Sequence, residues 1–283
     1  MFAAFGSVIL AMPLMNQLQP QYISMSQLFT AREKPSSMYH WTTFVLSNIV
    51  TEISFNLVTG TLFFFPWYFA IGFYDSWTDM GNGSRGLYMW LSLMLFEMWF
   101  STFGIAVASL APNAQTAAVL TTLFASFVVA FSGILQPLSQ LPQFWHFVYR
   151  VSPYTYLIGG VVSDALHGVQ IVCSPHEVNI FQPPPGQTCG EYAGAFANLS
   201  GRLLNPGSDA DCRYCRFSTG DQFLQTRNMF YDQRWRNVGL LAAYVAFNTA
   251  VAFTFFYLAK VATFNVKRLA SLKGKMRRTK TEG

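Results

Sequence analysis

Residues 42–72 read TTFVLSNIVTEISFNLVTGTLFFFPWYFAIG and contain one formal charge, Glu52. As a helix rising ~1.5 Å per residue, the run would be roughly 46 Å long, more than the ~30 Å hydrocarbon core of a bilayer. A water-soluble fold has no use for so long an apolar segment, so this one stretch places the chain in a membrane. The excess length calls for tilt, a kink or extension past the interface. Pro66 lacks a backbone donor and is the expected kink.

The flanking sequence repeats the signal. Residues 87–110, 114–135 and 238–262 are further expected spans, and residues 1–18 are a partial one. Of the 283 residues, 11% are charged, against ~25% in soluble proteins, and 17% are aromatic. This excludes a soluble globule, a disordered chain and a small disulfide toxin. Met1 is followed at once by apolar residues with no positive leader. The chain is therefore expected to begin inside a hydrophobic element, as an N-terminally truncated piece of a longer protein. Residues 137–163 hold Pro137, Pro142 and a 13-residue apolar stretch, 151–163. They are too broken to cross and are expected to be re-entrant or interfacial. The whole is an all-α polytopic membrane protein of about five spans. Residues 1–163 form the main helical unit, and 164–237 an exposed loop subdomain before the last span. A basic tail, 263–283, follows.

Charge orients the chain. Net charge is +5, and the positive residues gather in the tail as Lys267, Arg268, Lys273, Lys275, Arg277, Arg278 and Lys280. A basic run after an apolar span suits a cytoplasmic anchor on anionic lipid, and nothing favours nucleic acid. With the tail inside, residues 19–41 fall in the cytoplasm and 73–86 and 164–237 outside. Both glycosylation motifs, at Asn82 and Asn198, lie on the outer side, as do all four cysteines. Cys173, Cys189, Cys212 and Cys215 allow three pairings. Two disulfides are favoured over zinc on the oxidising side, with nested pairing preferred to sequential.

There is no phosphate-cradling G-x-x-x-x-G-K-[ST] and no H-E-x-x-H, so no catalytic residue is assigned and the chain is not expected to be an enzyme by itself. Asn48, Glu52, Asn56 and Gly60 recur every fourth residue and form one polar stripe. Glu97 sits similarly in the next span, near Ser101. A mid-bilayer carboxyl costs ~2.5–3.5 kcal/mol on insertion scales, so the stripe must face protein or water. It is read either as a polar relay along a substrate path or as hydrogen bonding that fixes helix packing. In 114–135 one row of small residues is Ala114, Ala118, Thr122, Ser126 and Ala130. Beside it run Thr121, Ala125, Val129 and Gly133. These rows suit close packing or the border of a central cavity. Phe124, Phe127 and Phe131 are candidates for an apolar pocket.

Three segments carry a family resemblance. Gln27–Ser36 (QLFTAREKPS), the segment FWHFVYRVSPYTY at 144–156, and Cys212-Arg213-Tyr214-Cys215 with Arg234-Trp235-Arg236-Asn237 resemble the C-terminal membrane half of fungal pleiotropic-drug-resistance ABC transporters. The resemblance implies an ABC-2 type (type V exporter) transmembrane domain in the plasma membrane. ATP and magnesium would be used by nucleotide-binding domains absent from this chain, and no cofactor or metal is expected within it. The implied partners are those domains, the first membrane half, the lipid bilayer and hydrophobic small molecules. Arg32, Glu33 and Lys34 would belong to a cytoplasmic coupling region, 19–41. By span position, Met15, Thr122, Ser126 and Val129 become substrate-path candidates. The alternatives are a proton-coupled carrier or channel using Glu52 or Glu97, and a truncated fragment without function.

Overall fold

The structure is a computed structural model and describes Gly6 and residues 11–74, 82–133 and 138–262. Helix α1 (Ala11–Leu28) runs into a π-helical turn (Phe29–Glu33). Helices α2 (Trp41–Ile71), α3 (Asn82–Leu110) and α4 (Ala114–Ala130) follow. Two 3-10 turns, Leu138–Gln140 and Gln143–Trp145, lead to the short helices α5 (His146–Val151) and α6 (Pro153–Leu166). The polar region holds β1 (Asn179–Phe181), α7 (Cys189–Ser200), β2 (Arg202–Leu203), β3 (Cys212–Cys215) and α8 (Gly220–Thr226). A 3-10 turn, Tyr231–Gln233, starts the last helix, α9 (Arg234–Phe256), which continues as a π-helical stretch, Tyr257–Ala262.

Local chemistry sets the helix ends. His40 accepts the backbone N–H of Thr42 at the start of α2, and Asn113 accepts that of Thr116 at 2.8 Å at the start of α4. Pro153 occupies the first turn of α6, where its missing N–H has no partner to lose. Helix α2 passes Pro66 as one continuous element and stops at Gly72, whose φ of 75° is the left-handed cap. Helix α3 is apolar on nearly every side, and accordingly it is the centre of the bundle, packed by α1, α2, α4, α6 and α9.

Three expectations are corrected. Among the described residues three helices are long and apolar enough to cross a membrane: Trp41–Ile71, Ser84–Leu110 and Tyr231–Ala262. Helix α4 ends at Ala130, short of the expected span to 135, because the chain turns at Ser132 and Gly133 (φ 82°). Second, residues 19–33, read from the sequence as part of a polar region outside the spans, continue the first helix and its π-helical turn. Gln19 and Ser26 are almost fully buried; Gln19 Nε2 donates to Thr121 Oγ1 at 2.7 Å, and Tyr22 bonds Ser109 at 2.9 Å. Polarity there marks contacts between helices. Likewise α9 starts at Arg234, ahead of the expected 238, and α3 at Asn82, ahead of 87.

Third, the fold is not wholly helical. The polar region 164–237 contains an antiparallel sheet in the order β1-β3-β2, with Ile180 opposite Arg213 and Leu203 opposite Tyr214. Cys173 is bridged to Cys215 and Cys189 to Cys212, with Cα separations of 6.0 and 5.4 Å, which is the nested pattern. Thr188 and Glu191 form a reciprocal capping box at the start of α7, and its bonds to Thr188 hold the Glu191 carboxyl below its ordinary range. Asn198 is exposed on α7. The Asn82 side chain, most of residues 1–10 and the tail 263–283 lie outside the described residues.

Candidate functional site: a polar groove between the first three helices

The inward row of α2 repeats every fourth residue. Phe44, Asn56, Gly60, Phe64 and Tyr68 are buried, and Asn48 and Glu52 are half-buried between them. This row faces α1 and α3 across two adjoining clefts of about 260 and 320 Å³. Met15, Glu52, Asn56, Glu97 and Ser101 line the first; Asn48 and Glu52 line the second, with Glu33 and Tyr39 at its end. Leu18, Gln21, Thr51 and Glu52 belong to both, so the two form one groove. Asn56 Nδ2 donates to Ser101 Oγ at 2.6 Å, joining α2 to α3, while Asn48 Nδ2 returns to the Phe44 carbonyl at 2.8 Å. Both carboxyls therefore face a protein-walled polar space, where hydrocarbon cannot reach every side of them. Two glycines permit the close approach. The Met15 thioether occupies the space a Cβ on Gly104 would take, and Met94 does the same at Gly60.

The structure brings Met15, Asn48, Glu52, Asn56 and Glu97 together. It does not bring Thr122, Ser126 and Val129 to them. Helix α4 packs inside the chain through Ala117, Thr121, Ala125 and Val128, which leaves Thr122 and Ser126 on an open face and Val129 part-buried. Phe124 and Phe127 border a separate apolar cavity of about 170 Å³ with Phe147 and Val151, while Phe131 stacks on Trp145 at 4.6 Å.

At the other end of the groove lies the Arg32-Glu33-Lys34 turn. Arg32 is exposed, Glu33 accepts the Tyr39 hydroxyl, and Lys34 Nζ donates to the Lys260 carbonyl at 2.8 Å. Beneath it Phe29 is buried against Phe44 (5.1 Å) and Phe256 (5.9 Å), and Trp41 lies 6.4 Å from Phe256. The turn is thus clamped to the ends of α2 and α9. Sequence reading missed Phe29, Tyr39 and Lys260 as members of this joint. Phe29 was legible only as one apolar residue among the polar 19–41.

A second cluster, also missed, joins the helices to the disulfide-bonded subdomain. Asp164, at the end of α6, which is not one of the three long helices, is fully buried, and neither carboxyl oxygen has a hydrogen-bond partner. Arg85 Nη1 donates to the carbonyls of Asp164 (3.2 Å) and His167 (3.1 Å). His167 Nδ1 pairs with Asp221 at 2.7 Å and its ring stacks on Tyr231 at 3.9 Å, and the Arg234 guanidinium lies over the Tyr231 ring at 3.8 Å. Burial pushes the Asp164 carboxyl up to about 7, against the opposing pull of Arg85, Arg234 and His167. The signal in the sequence was one acid at the close of an apolar stretch.

Among the described residues no group of three His, Cys, Asp or Glu side chains could hold a metal ion.

The described residues thus form an apolar helical bundle with a polar groove and a disulfide-stapled polar subdomain. Residues 1–164 match the ABC-2 type transporter family and residues 215–280 match the CDR ABC transporter family. The chain belongs to the ABC-2 type transporter family, on its pleiotropic-drug-resistance branch. It is 48% identical over 92% of its length to the brefeldin A resistance protein of Schizosaccharomyces pombe, covering 17% of that protein. The ATP-dependent permease AUS1 of Saccharomyces cerevisiae is 40% identical over 92% of this chain, with 18% of the permease covered. The ABC multidrug transporter SNQ2 of Candida glabrata is 36% identical over 94%, again with 18% covered. The chain thus spans less than a fifth of the length of these curated relatives.

Proposed function

We propose that this chain is the membrane-spanning part of an ATP-driven exporter that moves hydrophobic drugs, other xenobiotics or lipids out across the plasma membrane. The supporting observation is the groove that gathers Met15, Asn48, Glu52, Asn56 and Glu97 and ends at the Arg32–Lys34 turn. In this reading, nucleotide-binding domains outside this chain hydrolyse ATP and move that turn. Phe29 and Lys34 carry the motion to α2 and α9, and the groove changes its access from the tail side to the side of the stapled subdomain. The tail then faces the cytoplasm and residues 164–237 the exterior. Apolar walls with a few hydroxyl, amide and carboxyl groups bind by area more than by shape, which suits many substrates. The open face of α4, with Thr122 and Ser126, would meet the first membrane half and complete the cavity.

The test uses Thr51, which lines both clefts and is exposed. A cysteine introduced there (Thr51→Cys) is expected to react with a small thiol reagent and to be protected at least about threefold by transported compound. Glu52→Ala should lower transport about tenfold with the protein still at the membrane. Equal labelling with and without substrate, together with wild-type transport by Glu52→Ala, would remove the groove from the path.

A further inference from the structure

A third cleft, of about 440 Å³, lies between the α5–α6 corner and the start of α9 and shares no lining residue with the groove. Two arginines line it, Arg150 and Arg236, both exposed. Among the described residues the one ion pair is His167–Asp221, so neither guanidinium has a carboxylate within reach; Arg236 spends one N–H on Gln233 at 2.6 Å. Asn237 lines the same cleft, is 7% exposed, and its side-chain oxygen has no partner. The Tyr244 hydroxyl donates to the Val151 carbonyl at 2.8 Å, which ties the residue beside Arg150 to α9. Apolar side chains flank Arg150: Phe144, Phe147, Val151 and Trp235 are 57–70% exposed.

Two unpaired arginines call for an anion, and the planar guanidinium fork fits phosphate oxygens bidentately. The buried Asn237 oxygen calls for a hydrogen-bond donor beside that anion. The exposed aromatic and aliphatic flank calls for hydrocarbon. We propose that this cleft holds a phospholipid of the leaflet on the side of the disulfide-bonded subdomain. Its phosphodiester rests on Arg150 and Arg236, an N–H or O–H of its head group donates to Asn237, and its acyl chains lie along the flank. A head group with a donor, such as ethanolamine, binds in preference to choline, which has none.

Native mass spectrometry of the purified full-length transporter tests this. The preparation is incubated in turn with phosphatidylethanolamine, phosphatidylcholine and soluble glycerophosphoethanolamine. Wild type should retain at least about fivefold more phosphatidylethanolamine than Arg150→Gln/Arg236→Gln, while Arg227→Gln, outside the cleft, matches wild type. Asn237→Leu should bring phosphatidylethanolamine down to the phosphatidylcholine level. Equal retention by wild type and the double variant overturns the site. So does wild-type protein that takes up the soluble head group as readily as the lipid, since the occupant would then be a free anion. The wild-type comparison of the three compounds needs no variant and holds even if the double variant fails to fold.

Discussion

A transporter carrying Cys189→Ala together with Cys212→Ala is expected to lose the fold of its disulfide-bonded subdomain. Both sulfurs are buried, and the bridge closes a 23-residue separation that includes the whole of α7. The subdomain has little else to hold it: its longest strand has four residues, and Val172, Ile180 and Leu199 are largely exposed. In the chain-entropy account a loop of this size contributes about 3 kcal/mol, a large share of what a unit this small has to spare. The expected result is rapid proteolysis within 170–230 in the variant under conditions where wild type is resistant, with the long helices uncut. Wild-type protease resistance would show that the sheet and α7 stand without the bridge.

The second large effect concerns Asp164 and pH. The ordinary carboxyl value is 3.8 and the folded one is raised to about 7 by burial. Between those values the folded chain keeps a proton that the unfolded chain releases, so stability falls as pH rises through this window and is lowest above it. The groups facing the carboxyl are Arg85, Arg234 and His167, with Tyr68 and Tyr88 beside it. The joint between α6 and the subdomain should be firmer at about pH 5 than at about pH 8, by on the order of 2 kcal/mol. Asp164→Asn removes the titrating group and leaves His167 and Asp221 in place, so the difference between the two proteins isolates Asp164. Thermal unfolding followed across this range should show a steeper fall in wild type. Parallel curves would mean that Asp164 does not titrate in this window.

What the sequence made legible was what periodicity carries. The four-residue repeat of Asn48, Glu52, Asn56 and Gly60 belongs to one helix, so it could be read without knowing the fold, and it is the row that meets α1 and α3. The apolar runs were legible for the same reason. Contacts between distant segments were not. Gln19 was grouped with the polar region 19–41 because its partner, Thr121, is 102 residues away. The row on α4 that packs, Ala117–Val128, differs from the row of Thr122 and Ser126 by one residue in phase, and small residues occupy both. The Asp164 cluster gathers residues from 85 to 234, each unremarkable in its own neighbourhood. The small sheet escaped because three strands of two to four residues leave no alternating pattern to count.

The most direct test of the central claim is transport by the purified full-length protein in liposomes, with a fluorescent hydrophobic dye and an ionophore that collapses any proton gradient. The account predicts dye movement that requires ATP, persists with the ionophore and stops when ATP is replaced by a non-hydrolysable analogue. Movement driven by a pH gradient in the absence of ATP, and abolished by the ionophore, would contradict it and make Glu52 and Glu97 proton carriers instead.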